Sequence, residues 1–386
     1  MKNNKILNVL FYAIFLLSMI AYEIHLYSYY TYVQLSIFAL NIIAFIIFLN
    51  NKTYFKEMKK NIKQNKIVIL LCFFMMISTL ISMVKFKNIQ IYNIAIVLMF
   101  IINIILYFFS MPIYCKYNKK FENTLNNFII IFITIISILG IIIVFRKNFL
   151  GYTLFFGRAR SIYFDPNFFS VIAAIPCALI FRKNYKFKIK ILVLTISLIA
   201  IFYSNSRGTM LSISACMIYY IFIKYPNKNI LNKILIIICF FSTFLIFFNY
   251  LNKIDFFREE QGSNGRDKMI EYSINKIKDS PITGFGYGMI DDLLKNEGME
   301  NASTHNSLID YMMIYGIPCL ILFLVIIFKS FCMSFKEREK LYLNLLTILL
   351  FMNMNTILFS FGGVGFPSII LSLCIGMSCN RLEYKF

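Results

Sequence analysis

Histidine is almost missing from this chain: His25 and His305 are the only two in 386 residues. A metal site needs several ligands at fixed spacing, and no Cys-x-x-Cys or His-rich run supplies them. No resident metal is therefore expected. Nine cysteines are present, at 72, 115, 177, 216, 239, 319, 332, 374 and 379, and all fall in apolar runs or short basic loops. None lies in the one long polar segment, 252–303, which excludes a disulfide framework there. Charge is scarce too. Only 15% of residues are Asp, Glu, Lys or Arg, while 59% are apolar and the mean hydropathy is +0.72. A soluble globular domain does not have that balance. No internal repeat is visible, which argues against a transporter built from two symmetric halves.

What the chain does have is apolar runs of near-membrane length from end to end. A run of about 20 residues crosses a hydrocarbon core of about 30 Å as a helix. The runs are continuous rather than alternating, so their backbone groups are satisfied by helix and not by a barrel. Spans are expected at 6–22, 31–49, 67–84, 89–110, 127–145, 167–181, 190–205, 208–223, 234–251, 306–328, 341–361 and 366–380. The expected fold is all-α and polytopic, a single integral membrane domain over 1–386. Lys2 and Lys5 before an apolar stretch imitate a signal peptide, but no small-residue cleavage site follows, so a retained first helix is expected.

The net charge of +21 is a matter of topology. With a cytoplasmic N-terminus, lysine and arginine crowd into alternate loops at 50–66, 115–123, 182–190, 224–233 and 329–340. The acids split the other way. Only Glu57, Glu122, Glu337 and Glu339 share those loops, with Glu383 in the C-terminal segment. That is a positive-inside pattern; it places both termini in the cytoplasm and gives no reason to invoke a nucleic-acid partner.

Two external segments exceed a simple turn. The first, 146–163, mixes Arg146, Lys147, Arg158 and Arg160 with Tyr152, Phe155 and Phe156. The second, 252–303, is a large external loop between the ninth and tenth spans. Within it Ile270, Ile274 and Ile277 recur at helical spacing among charges, predicting an amphipathic helix over 267–279. Pro281 ends it, and Gly284, Gly286 and Gly288 permit tight turns afterwards. A short helix at 289–296 is also expected.

Polar residues between such runs are functional candidates. Ser206-Arg207-Gly208 interrupts a stretch too long for one span and right for two short ones. Arg207 then snorkels to headgroups or, among the small neighbours Asn205, Ser206, Gly208 and Thr209, meets a ligand. Arg158 and Arg160 lead to Asp165-Pro166-Asn167. Asp165 either caps the following helix or acts directly, and the two arginines want an anion, headgroup or substrate. Gly265-Arg266-Asp267 opens the amphipathic helix, with Arg266 solvated or ligand-bound. His305-Asn306 begins the tenth span near Asp310, as an interfacial pair or a proton-handling one. His25, beside Glu23, reads as structural. Arg158, Arg160, Arg207, Arg266 and His305 all face one compartment. Guanidinium forks suit phosphate oxygens, so the set fits a diphosphate held without a divalent cation, and the apolar surroundings suit a lipid tail.

In order along the chain, the motifs are Arg160-Ser161 to Asp165-Pro166-Asn167-Phe168, Tyr203-Ser204-Asn205-Ser206-Arg207-Gly208, and Gly265-Arg266. Then come Asp279-Ser280-Pro281-Ile282-Thr283-Gly284-Phe285-Gly286-Tyr287-Gly288 and Thr304-His305-Asn306-Ser307 leading to Tyr315-Gly316-Ile317. This series resembles the O-antigen polymerase and O-antigen ligase family of bacterial envelope glycosyltransferases. The resemblance covers 155–320 by motif and the whole chain by its layout of about twelve helices, a GT-C-like plan. It implies an inverting glycosyltransferase that needs no metal or cofactor and acts on the outer face of the cytoplasmic membrane. Its donor would be a glycan on polyprenyl (undecaprenyl) diphosphate. Arg207 and Arg266 would hold the diphosphate, and His305 would orient or deprotonate the acceptor. Arg158, Arg160, Asp165 and Asn306 would contact diphosphate or glycan. Membrane lipid, a chain-length regulator and a flippase are the partners it allows. One departure stands out: the family often has an acid two residues before the glycine of the histidine helix, and here that residue is Ile314. Polymerase is the favoured activity, for capsule, exopolysaccharide or O-antigen. Ligase-type transfer to a lipid, wall or protein acceptor is the alternative, and a transporter of lipid-linked sugar is a third reading.

Overall fold

The computed structural model describes residues 2–23, 25, 29–86, 91–182, 185–224, 234, 266–287, 293, 304, 306–335, 341–354 and 361–380. They are almost entirely helical. The elements are α1 (Lys2–Ile20), α2 (Tyr30–Leu49), α3 (Lys52–Gln64), α4 (Lys66–Lys85), α5 (Ile91–Ile104), a π-helical stretch (Ile105–Ser110), α6 (Met111–Tyr117) and α7 (Lys119–Arg146). A two-stranded hairpin follows, β1 (Asn148–Phe149) and β2 (Tyr152–Thr153), with Phe149 opposite Tyr152. Then come α8 (Pro166–Leu179), α9 (Phe187–Ser204), α10 (Arg207–Lys224), α11 (Arg266–Ile277), α12 (Ser307–Tyr315), α13 (Ile317–Phe335), α14 (Leu341–Asn353) and α15 (Phe366–Cys379).

Among the described residues, six helices are long and apolar enough to cross a membrane: Tyr30–Leu49, Lys66–Lys85, Asn93–Tyr117, Lys119–Arg146, Phe187–Ser204 and Ile317–Ser334. Asn4–Ile20, Pro166–Leu179, Leu341–Asn353 and Phe366–Cys379 are apolar but shorter. The chain is a multi-pass membrane protein. Of the expected spans, 234–251 lies outside the described residues apart from Ile234, as does the short helix expected at 289–296 apart from Leu293.

Long-range bonds sort the helix termini into two ends. At the first, Lys329 Nζ donates to Asn65 Oδ1 (2.8 Å), Asn65 Nδ2 to Asn380 Oδ1 (3.1 Å), and Tyr114 Oη to Asn8 Oδ1 (2.6 Å). At the second, Phe164 N donates to Tyr22 O (3.2 Å) and Ser307 N to Met354 O (2.7 Å). The first is the basic end. It carries α3, where the charge pattern had suggested only a loop over 50–66. The second end carries the polar motifs.

Two further departures from the sequence expectation have packing causes. The fourth run does not stop at 110 but continues to Tyr117 through the π-helical stretch. There Phe108 O accepts from Asn380 Nδ2 (2.7 Å), and a Cβ on Gly376 would lie 2.5 Å from that same oxygen. The widened turn presents a carbonyl that α15 approaches closely because residue 376 has no side chain. The tenth run, expected unbroken over 306–328, is split into α12 and α13 at Gly316 (φ +82°).

Candidate active site at the polar end of the bundle

The α9–α10 connection is two residues long. Asn205 takes the left-handed conformation (φ 51°, ψ 46°), which Asn tolerates better than most side chains. Ser206 follows, and Arg207 is the first residue of α10, with its side chain exposed. A guanidinium at the start of an 18-residue helix adds its charge to free backbone N–H groups, and both favour an anion.

Arg158 braces this turn from behind. It is 7% exposed, and its Nε donates to Ser204 O (2.7 Å) while one terminal nitrogen reaches Asn205 O (3.2 Å) and Asn167 Oδ1 (2.7 Å). Ala159 N donates to Tyr203 O (2.9 Å). The carbonyls at the end of α9 have no later turn to bond to, and Arg158 satisfies them. Asp165 caps α8 by accepting from Asn167 N (2.8 Å). Arg160 turns the other way, toward the hairpin. Its Nε donates to Thr153 O (3.0 Å), a terminal nitrogen donates to Thr153 Oγ1 (3.0 Å), and the guanidinium lies 5.5 Å from the Phe155 ring centre. Burial draws the Arg160 pKa down from the usual guanidinium value, yet arginine remains charged at any ordinary pH. Tyr152 in the same hairpin donates to Glu23 Oε1 (2.8 Å). Burial first, and that carboxylate second, push its phenol up to about 12. His25 packs on the Tyr152 ring at 5.1 Å between centres, in keeping with its structural reading.

Beneath Arg207 lies a buried polar cluster that the sequence reading missed. Ser170 Oγ and Thr209 Oγ1 are 2.7 Å apart, and Ser206 Oγ is 3.2 Å from Thr209 Oγ1. Thr209 donates to Asn353 Oδ1 (2.9 Å), while Asn353 Nδ2 donates to Ser212 Oγ (2.8 Å) and Leu349 O (2.7 Å). Asn353, Thr209, Ser170 and Ser212 have no solvent exposure. The cluster ties α8, α10 and α14 together at one level. The residue after Asn353, Met354, accepts from Ser307 N, so the N-terminus of α12 joins the same level. Asn353 was not legible because it is one asparagine in an apolar run. Asn353→Ala leaves the Thr209 and Ser212 hydroxyls short of partners in a dry interior. A loss of about 1–3 kcal/mol is expected, read as a lower Tm for the detergent-solubilised protein. Asn353→Asp should be no milder than alanine, because a carboxylate cannot donate to Leu349 O and Ser212 Oγ and its charge would be buried.

The remaining motifs assemble around α12. Arg266 is the first residue of α11. Ile277 and Phe285 pack with Ile309 and Met313. Phe285 N donates to Met313 O (2.7 Å), Gly286 N to Ile314 O (3.0 Å), and Ile317 N to Pro281 O (2.8 Å). On the other side, Ser78 bonds Thr283 O, Ser82 donates to Gly284 O (3.1 Å), and Lys85 Nζ donates to Asp279 O (3.2 Å). The 279–287 segment is thus held between α4 and α12. Asn306 caps α12, accepting from Leu308 N (3.0 Å) and Ile309 N (3.3 Å). Asp310 is buried and accepts from Thr304 Oγ1 (2.8 Å) and Thr304 N (3.2 Å), which fixes the residues on either side of position 305. His305 itself lies outside the described residues, as does the Arg266 side chain.

The structure therefore gathers Arg158, Asp165 and the Arg207 turn on one side of the polar end. It links them through Asn353 and Met354 to Ser307, at the start of α12, on the other. Arg160 belongs to the hairpin edge of the same end. Among the described residues no group of three or more His, Cys, Asp or Glu is placed to hold a metal ion. Chemically, an exposed arginine at a helix N-terminus beside a rigid polar floor is arranged to receive an anion. Residues 191–324 match a family model described as O-Antigen ligase. That segment runs from within α9 into α13 and contains Arg207, Arg266, His305 and Asn306. No curated protein and no solved structure matches the chain.

Proposed function

We propose, from the match of residues 191–324 to a family model described as O-Antigen ligase, that the chain is a polysaccharide polymerase of the O-antigen polymerase/ligase kind. It transfers a glycan from polyprenyl diphosphate to the repeat unit on a second lipid carrier, outside the cytoplasmic membrane. The observation that carries this reading is the linkage of the Arg207 turn, through Thr209, Asn353 and Met354, to Ser307 at one end of the bundle, opposite the basic end. In this reading the chain crosses the membrane about twelve times, with 252–303 as an external loop, and the polar end faces outside, as the positive-inside bias favours.

In this mechanism Arg207 and Arg266 grip the diphosphate and stabilise the charge that grows on it as the sugar departs. His305 takes the proton of the acceptor hydroxyl as its oxygen attacks the anomeric carbon. The bond to the diphosphate breaks on the opposite side, a glycosidic bond forms, and the configuration inverts. No step calls for a metal. Arg158, Asp165 and Asn306 spend their bonds on the protein, so in this reading they shape the pocket, and Arg160 fixes its hairpin edge.

The ligase reading has one observation in its favour, the description of the matched family. Deleting the gene separates the two. Loss of a polymerase leaves single repeats on the acceptor, whereas loss of a ligase leaves long chains on the lipid carrier. An unchanged envelope glycan profile would sink both. Elongation of a lipid-linked repeat by the purified protein, with no energy source added, eliminates a transporter.

A further inference from the structure

A second surface lies at the basic end, remote from the site. Helix α3 connects α2 and α4, both of membrane-crossing length, so it is held at the level of the headgroups. Its contacts step from Tyr117 and Tyr114 (Tyr54 ring centres at 5.5 and 6.0 Å) to Ser110, whose Oγ donates to Met58 Sδ at 3.6 Å. It therefore runs along the flank of the α5–α6 rod rather than across its tip, and its free face looks sideways.

That face is cationic. Tyr54, Met58 and Asn61 are buried against the bundle. At about 100° per residue, Lys52, Lys56, Lys59, Lys60 and Lys63 fall within an arc of about 100° on the opposite side. All five are exposed. The helix has one acid, Glu57, and it is turned toward the rod, with Lys116 Nζ at 3.9 Å and the Tyr117 hydroxyl at 3.4 Å. Phe55, 37% exposed, flanks the stripe and carries the Lys59 ammonium 4.4 Å from its ring centre. Lysines on a face turned sideways at the level of the headgroups are placed to meet anionic lipid. An acidic protein would need the stripe to face the cytosol, whereas this one faces the leaflet.

We propose that the α3 lysine stripe binds the headgroups of anionic phospholipids in the leaflet at the basic end. This does not depend on the glycan-transfer reading. Each lysine near such a surface contributes about a five-fold preference, so four of them make a strong bias.

The test uses the full-length protein in nanodiscs of phosphatidylcholine, with or without phosphatidylglycerol. Unfolding is followed with a thiol-reactive dye, since most of the described cysteines are buried. Wild-type Tm should rise with phosphatidylglycerol, and high salt should shrink the rise by screening. Combined Lys52→Gln, Lys56→Gln, Lys59→Gln and Lys63→Gln should remove most of the rise, Lys60 being left, and leave Tm in phosphatidylcholine alone unchanged. The four matching arginine substitutions should preserve it. So should Lys186→Gln, Lys188→Gln and Lys190→Gln, which remove charge elsewhere. Should the four-glutamine protein not fold, Lys56→Gln and Lys63→Gln singly should each reduce the rise. A wild type indifferent to phosphatidylglycerol, as for a stripe meant for an acidic protein, overturns the proposal. An equal rise in the glutamine variants does the same.

Discussion

Arg207→Ala lowers glycan transfer by about two to three orders of magnitude while the protein still inserts and accumulates. The loss is expected to be large because, in the proposed mechanism, the guanidinium meets the diphosphate and has its greatest effect as negative charge develops there. Insertion is spared because it depends on apolar runs, and Arg207 is an exposed side chain at the first position of α10. Arg207→Lys should recover little, since an ammonium keeps the charge but loses the two-pronged geometry. Arg266→Ala should behave in the same way. Polymer length on gels, normalised to membrane-inserted protein, is the measurement. Wild-type chains from both alanine variants would mean that these arginines are incidental to the chemistry.

Gly316→Ala is expected to be the most damaging change outside the pocket. A Cβ at this position would stand 2.1 Å from Ile282 O and 2.4 Å from Ile282 C, both backbone atoms that no rotamer can move aside. The φ of +82° adds a conformational cost of its own. Overpacking costs about 1–3 kcal/mol, and left-handed backbone costs about 1–2 kcal/mol more for a residue with a Cβ. The 281–287 segment must then leave α12, taking with it the bonds to Met313 O and Ile314 O. The expected result is a clear fall in Tm together with loss of transfer. A protein with unchanged Tm and full activity would show that the segment is not seated there.

Much of this was legible beforehand because burial in a bilayer demands long apolar helices whatever they pack against. The α9–α10 hairpin was read from an apolar stretch too long for one span and interrupted at Arg207. The amphipathic helix was read from three isoleucines, and it ends at Ile277, just ahead of Pro281. Helix α3 was hidden because its lysines matched the charge pattern of a cytoplasmic loop; only Tyr54, Met58 and Asn61 on one face betray it. Arg158 was assigned to substrate because an external arginine wants an anion. Here the carbonyls of Ser204 and Asn205 meet that need. Nothing local announces which carbonyls a distant turn will leave open.

The amino-acid order alone determined the membrane class, the two-sided distribution of charge and the sequence of polar motifs. These follow from hydropathy and spacing, which need no neighbour. Tertiary structure decided where those motifs meet. Asn353 joins Thr209 across 144 residues of chain, and Gly316 breaks a helix that its own composition would continue. Both effects arise from contacts at distances set by packing, and no stretch of sequence contains its own packing partner.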